Sequence, residues 1–122
     1  MNDQVTDEVD KIINQYFDYL TTEYGFLVIS KEFFPEIFGN FIIRLEKSNV
    51  RITISRDRGQ VFIDFFSPQL GEKDKESILV EQGIHRGRFP TKSGLWTGYE
   101  IDKQSIGLKQ HLKLILEYIE GQ

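Results

Sequence analysis

Residues 40–67 constrain the fold of this chain more than any other segment, because apolar and polar residues alternate along three successive runs. The runs begin at Phe41, Val50 and Val61, and each keeps the two-residue period of a strand that buries one face. Short connections separate them, and Gly59 in the second connection can adopt the positive φ of a tight hairpin turn. The segment therefore predicts an antiparallel meander.

The segments around the meander predict helices and one more strand. Residues 3–24 have apolar side chains at three- and four-residue steps, and Gly25 is a natural helix stop. Residues 26–34 are rich in β-branched and aromatic residues, which favours a strand. Residues 68–76 look like a polar loop, and residues 74–84 predict a short helix, with a strand as the alternative.

The end of the chain predicts a loop and then a helix. Residues 83–99 contain four glycines and one proline, which is typical of a loop. A last helix is expected to be capped by Asp102 or Ser105 and to end at Glu120. Its expected core-facing residues are Ile106, Leu108, Leu112, Ile115 and Ile119. Helices that flank a run of strands indicate an α+β fold. The 122 residues suit a single domain, with a four-stranded antiparallel meander sheet and with the N-terminal helix and the C-terminal helices on one face.

Composition excludes several classes of protein. The chain has no cysteine, which rules out disulfides and thiolate metal sites and fits a reducing cytoplasm. It has two histidines, neither in a metal-binding spacing, so we expect no metal and no cofactor. No apolar run approaches the ~20 residues of a membrane span, and the acidic start is unlike a secretory signal. We therefore expect a cytoplasmic protein without a membrane partner.

Charge is unevenly distributed along the chain. Residues 1–25 carry six acidic residues and one lysine, whereas residues 44–58 carry five basic and two acidic residues. The whole chain has a net charge of −4. An acidic helix beside a basic sheet either balances charge within the molecule or offers two faces to different neighbours.

The turn from Arg56 to Gly59 is the first candidate site. Arg56 and Arg58 could present two guanidinium groups at a hairpin tip and grip a carboxylate or phosphate of a partner. The alternative, which the composition favours, is an ordinary turn in which Asp57 starts the turn, Gly59 ends it and the arginines are solvated.

The outward face of the meander is the second candidate. Alternation predicts that it carries Arg44, Arg51, Thr53, Ser55 and Asp64 together with Ile42, Phe62 and Phe66. Aromatic residues mixed with arginines are typical of a binding surface, and also of a sheet face that a helix partly covers. Such a face could stack single-stranded nucleic acid. The acidic net charge and the missing ribonucleoprotein signature argue against a nucleic-acid partner.

The loop at residues 83–99 is the third candidate, because it contains His85, Arg86, Arg88 and Trp96. Tryptophan and arginine dominate protein–protein hot spots, although Trp96 could equally fill the edge of the core. His85 could also form an acid–base pair with Asp64 and act with the arginines on a phosphate-bearing substrate. No nucleophile elbow or metal motif supports catalysis, so we do not expect an enzyme.

Two short motifs carry a resemblance to a known group of proteins. The run FGN at residues 38–40 and the run RDRGQVFID at residues 56–64 resemble small bacterial proteins, some of which look like immunity proteins of polymorphic or contact-dependent toxin systems. The likeness covers residues 25–66. It implies a small cytoplasmic protein that acts by binding a protein partner such as a toxin.

We therefore expect a non-enzymatic binding protein of the immunity or adaptor type. Its expected partner-binding residues are Arg56, Arg58, Asp64, His85, Arg86, Arg88 and Trp96. The acidic first helix would suit a basic toxin, because opposite electrostatic potentials on the two proteins raise their association rate. A small enzyme and a domain that forms a homodimer through its aromatic sheet face are the alternatives.

Overall fold

The computed structural model describes residues 3–83 and 99–122, with side chains from residue 8 onward. The described elements, in chain order, are α1 (Asp3–Ile12), a π-helical turn (Ile13–Phe17), α2 (Asp18–Thr22), β1 (Leu27–Phe34), β2 (Asn40–Lys47), β3 (Val50–Asp57), β4 (Gln60–Ser67), β5 (Gly71–Asp74), α3 (Lys75–Glu81) and α4 (Ile101–Glu120).

The strands form one antiparallel sheet in the order β1-β2-β3-β4-β5, so the α+β class and the meander are confirmed. The prediction of four strands is wrong, because residues 71–74 pair with Asp64–Ser67 as a fifth strand. The sequence of β5 is Gly-Glu-Lys-Asp, which has no apolar alternation. A short charged strand at a sheet edge is held by backbone hydrogen bonds, and its sequence therefore looks like a loop.

The core lies on one face of the sheet. Eight alternating apolar residues of the three central strands are buried there, whereas Val50 at the start of β3 is half-buried; the eight are Phe41, Ile43, Leu45, Ile52, Ile54, Val61, Ile63 and Phe65. They share one cluster with inward-facing residues of the helical segments, including Phe17 and Leu112. Burying each large apolar side chain stabilises the fold by about 1.5–3 kcal/mol. Because the buried side chains of the helices and of the sheet share this one cluster, the described helices that contribute to it lie on the same side of the sheet.

The N-terminal helix is interrupted where the sequence predicts one continuous helix over residues 3–24. The interruption is the π-helical turn, and it lies against α4. There the Ser105 hydroxyl donates to the Tyr16 carbonyl, and the Tyr19 hydroxyl donates to the Ser105 carbonyl at 2.9 Å. The predicted stop is confirmed, since Gly25 has a φ of +77° and the Phe26 N–H donates to the Leu20 carbonyl.

The last helix begins at Ile101, one turn before the later of the two predicted caps. Its N-cap is Glu100, which makes no side-chain capping bond, so neither Asp102 nor Ser105 caps it. Four of the five predicted core residues are buried, but Ile106 is 56% exposed. Ile106 lies two residues from Leu108, which places it on nearly the opposite side of a helix with 3.6 residues per turn.

Among the described helices, none is both long and apolar enough to cross a membrane.

Candidate functional site

The sheet face opposite the core is the candidate site, and we call it the outer face. Cross-strand pairing places Ile42 beside Ser55 and Phe62, and Arg44 beside Thr53 and Asp64. Arg51 pairs with Phe66 in the next row. The predicted composition of this face is therefore confirmed. Because these side chains are on adjacent strands of one sheet, their relative positions are fixed by backbone hydrogen bonds.

The arginines of the outer face are held by neighbouring acids. The Arg44 guanidinium donates to Glu32 and to the Ser30 hydroxyl, each at 3.2 Å. The Arg51 guanidinium donates to Glu46 at 3.2 Å and lies 5.7 Å from the centre of the Phe66 ring. Both ion pairs are partly exposed, so each contributes little to stability. Their effect is to orient two planar donors on a rigid surface.

An aromatic pair lies on the outer face next to the start of α4. The rings of Phe62 and Tyr99 are 5.2 Å apart at a tilt of 41°. The Tyr99 carbonyl accepts a hydrogen bond from the Val61 N–H at 2.7 Å, which holds the chain against β4. Phe66, on the same face, is 38% exposed. The face thus combines aromatic surface with oriented arginines.

Asp64 lies on the outer face beside three other carboxylates. Partial burial, followed by repulsion from Glu72, Asp74 and Glu76, raises the pKa of Asp64 to about 6. Asp74 is fixed as the N-cap of α3, since it accepts hydrogen bonds from the backbone N–H and the hydroxyl of Ser77. Asp64 can therefore gain or lose a proton near neutral pH.

The two arginines of the predicted turn have different environments. The Arg56 guanidinium donates through Nε and Nη2 to the Gly39 carbonyl, at 3.2 and 3.0 Å, and lies 4.9 Å from the centre of the Phe41 ring. Its donors thus brace a neighbouring turn. Arg58 has a φ of +52°, and its side chain is 75% exposed. Arg58 is therefore exposed enough to contact a partner. Arg56 instead stabilises the neighbouring turn, which agrees with the alternative of an ordinary turn.

The structure does not bring all the predicted residues together. Arg56 and Arg58 are at the end of the β3–β4 hairpin, whereas Asp64 lies in the middle of the outer face. Residues 84–98 of the predicted loop lie outside the described residues, and so do the predicted site residues His85, Arg86, Arg88 and Trp96.

Two features of the structure were not among the predicted site residues. One is the acidic group that β5 and α3 bring to Asp64, and the only sequence signal for it is the Asp74-x-x-Ser77 capping pattern. The other is Phe38, which is 73% exposed with a φ of +53°. Its signal is the Phe38-Gly39 dipeptide, in which the glycine indicates a turn.

Within residues 3–83 and 99–122, no three His, Cys, Asp or Glu side chains are grouped so that they could hold a metal ion. Comparison of the chain with protein-family models, with curated proteins and with solved structures finds no match.

Proposed function

We propose that this chain is a non-enzymatic binding protein of the immunity or adaptor type, which acts in the cytoplasm on a protein partner such as a toxin. The observation that carries the proposal is the outer face, where Phe66, Phe62 and Tyr99 lie among arginines that are already oriented by acidic neighbours. Aromatic residues and arginines are enriched at protein–protein interfaces.

The outer face suits a protein partner for energetic reasons. Its side chains stand on paired strands, so ordering them on binding costs less entropy than ordering a loop. Arg51 is held by Glu46 and by the Phe66 ring, and its side chain is still 41% exposed, so a partner can reach it. Charged pairs around an aromatic centre resemble the polar rim and apolar core of a typical interface.

The test requires a partner, and the first candidate is the product of the adjacent reading frame in the host. The chain is co-purified with that protein, and the affinity is measured by isothermal titration calorimetry. Phe66→Ala should weaken binding by about tenfold or more if Phe66 is a hot spot. Leu114→Ala is the matched control, because Leu114 is an exposed apolar residue on α4 and should change affinity by less than about twofold. Equal affinities of the two variants would contradict the proposal.

The acidic helical segment is the competing contact surface for the same function. Glu8, Asp18 and Glu23 are exposed there, whereas Asp10 is paired with Lys31 at 2.9 Å. If a basic partner binds this surface, Asp18→Asn should lower the association rate and reduce its dependence on salt. Phe66→Ala would then have no effect. The two variants therefore distinguish the two surfaces.

A second candidate function, a small enzyme that acts on a phosphate-bearing substrate, is favoured by the raised pKa of Asp64. In that function Asp64 would act as the proton donor or acceptor, with His85 and the nearby arginines as partners. The test is hydrolysis of a generic phosphomonoester by the purified chain. Activity that is lost in Asp64→Asn and kept in Phe66→Ala would favour the enzyme over the binding protein.

A further inference from the structure

The β1–β2 turn presents two exposed apolar side chains, which we call the apolar tip. Ile37 is 47% exposed and Phe38 is 73% exposed. Phe38 and Gly39 both have positive φ, +53° and +68°. Glycine and asparagine are the usual residues in such a conformation, whereas a bulky aromatic residue there is strained. A phenylalanine that is both strained and exposed contributes little to folding, which points to a role in binding.

The apolar tip is held rigidly by its neighbours. Within the turn, the Ile37 N–H donates to the Phe34 carbonyl at 3.0 Å and the Asn40 N–H donates to the Ile37 carbonyl at 2.9 Å. From the adjacent β3–β4 hairpin, Arg56 donates to the Gly39 carbonyl, and the Arg58 N–H donates to the Asn40 side chain at 2.9 Å. The aromatic side chain therefore projects from a backbone that is already ordered before any partner binds.

An apolar cleft adjoins the apolar tip. It has a volume of about 320 Å³, and its lining combines the apolar residues Phe34, Ile37, Phe41 and Ile42 with the polar residues Asn40, Ser55, Arg56 and Asp57. That volume is at the lower end of the ~300–1,000 Å³ typical of ligand pockets. The molecule thus carries an apolar projection and an apolar recess side by side on one surface.

We infer that a second copy of this chain docks at this end of the sheet, with Phe38 of each copy inserted into the cleft of the other. A two-fold contact needs one surface that is complementary to itself, and an adjacent projection and recess provide it. The charges are also self-complementary, because Glu36 is exposed on the turn and Arg58 on the neighbouring hairpin. In this dimer we expect Glu36 of each copy to pair with Arg58 of the other.

The predicted dimer is weak. A phenylalanine buries about 150–250 Å², so the two inserted rings together bury roughly 300–500 Å². This area is well below the ~1,200 Å² of a stable interface. We therefore expect a dissociation constant on the order of 100 µM, with monomer and dimer in exchange. The dimer shares Ile42 and Arg58 with the proposed partner-binding surface but leaves Phe66 exposed, so Phe66→Ala and Phe38→Asn separate the two functions.

The test is sedimentation equilibrium of the whole chain from about 10 µM to 1 mM, the range that brackets the expected constant. Phe38→Asn should raise the dissociation constant by about tenfold or more, because it removes both inserted rings. The variant should fold, since asparagine favours this backbone conformation. Phe66→Ala is the matched aromatic control and should leave the equilibrium unchanged.

A charge exchange tests the orientation of the two copies. Glu36→Arg alone and Arg58→Glu alone should each weaken the dimer, and the double variant should restore it. A monomer at every concentration, or a dimer that Phe66→Ala abolishes and Phe38→Asn does not, would overturn the inference. Phe38-dependent binding of a monomeric chain to phosphatidylserine vesicles would overturn it in favour of a membrane surface.

Discussion

Replacing Asp64 by asparagine should stabilise the fold at neutral pH. In the folded chain the Asp64 carboxylate is partly buried and faces the carboxylates of Glu72, Asp74 and Glu76, which raises its pKa from 3.8 to about 6. Above that pKa the folded state has to hold a charge that burial and repulsion disfavour. Asparagine has nearly the same shape and no charge, so the substitution removes the penalty and keeps the packing.

The magnitude follows from the shift in pKa. A rise from 3.8 to about 6 is roughly two units, and each unit corresponds to 1.36 kcal/mol between the two protonation states. Because Asp64 is only partly buried, solvent screens part of this effect. We therefore expect Asp64→Asn to raise the free energy of unfolding by about 1–2 kcal/mol at pH 7.5.

The shift in the pKa of Asp64 also determines how its contribution to stability changes with pH. The folded state binds the Asp64 proton more tightly than the unfolded state, so this group favours folding least at high pH. Its contribution is neutral below the unfolded pKa and becomes unfavourable as the pH rises through about 4 to 6. At pH 4 the wild-type chain and Asp64→Asn should therefore differ by less than about 0.5 kcal/mol.

The measurement is urea denaturation of both chains at pH 4 and pH 7.5. Asp18→Asn is the matched control, since Asp18 is an exposed carboxylate on α2 and its replacement should change the free energy of unfolding by less than about 0.5 kcal/mol. The reasoning about Asp64 would be refuted if Asp64→Asn gained no more stability at pH 7.5 than at pH 4.

Four further substitutions test the packing by the same denaturation assay. Ile63→Ala should lower the free energy of unfolding by about 2–4 kcal/mol because Ile63 is 1% exposed, whereas Ile106→Ala should lower it by less than about 0.5 kcal/mol. Equal losses would contradict the assigned faces of the sheet and of α4. Gly107→Ala should stabilise α4 by about 0.5–1 kcal/mol, since the nearest atom to the added Cβ is Lys75 Nζ at an unstrained 3.7 Å; a loss of stability would show that this contact is too close. Lys75→Met should cost about 3 kcal/mol because it leaves the nearly buried Glu76 without its cation at 2.9 Å, and a neutral result would mean that Glu76 is solvated.

The central strands could be predicted from the sequence because burial of one face imposes a two-residue period. Every predicted core residue in β2, β3 and β4 is buried except Val50, which is half-buried at the start of β3, and the pairing of the three strands follows from short hairpins. β5 could not be found in this way, because Glu72 and Lys73 have no apolar face to reveal the period. Its position depends on backbone pairing with Phe65 and Phe66, which is a property of the folded sheet.

The candidate site was only partly predictable, and β1 shows why. The pairing of β1 with β2 shifts between Val28 and Ser30, which leaves Ile29 as an extra residue in the strand. An extra residue reverses the alternation, so Glu32 lies on the outer face and reaches Arg44. A sequence pattern gives no sign of where a bulge occurs, and therefore the acidic partner of Arg44 could not be anticipated.

The same contacts show that the basic segment at residues 44–58 does not act as a simple positive surface. In the sequence it looks like a positive surface, yet in the fold Arg44 and Arg51 are paired with Glu32 and Glu46, and the Arg56 guanidinium donates to the Gly39 carbonyl. A surface that binds nucleic acid keeps its cations available for phosphates, and its affinity depends on releasing counterions from them. Cations that are already matched by carboxylates offer directed hydrogen bonds without a strong positive field. This arrangement supports a partner that is recognised through shape and through oriented polar groups, which is the chemistry of a protein surface.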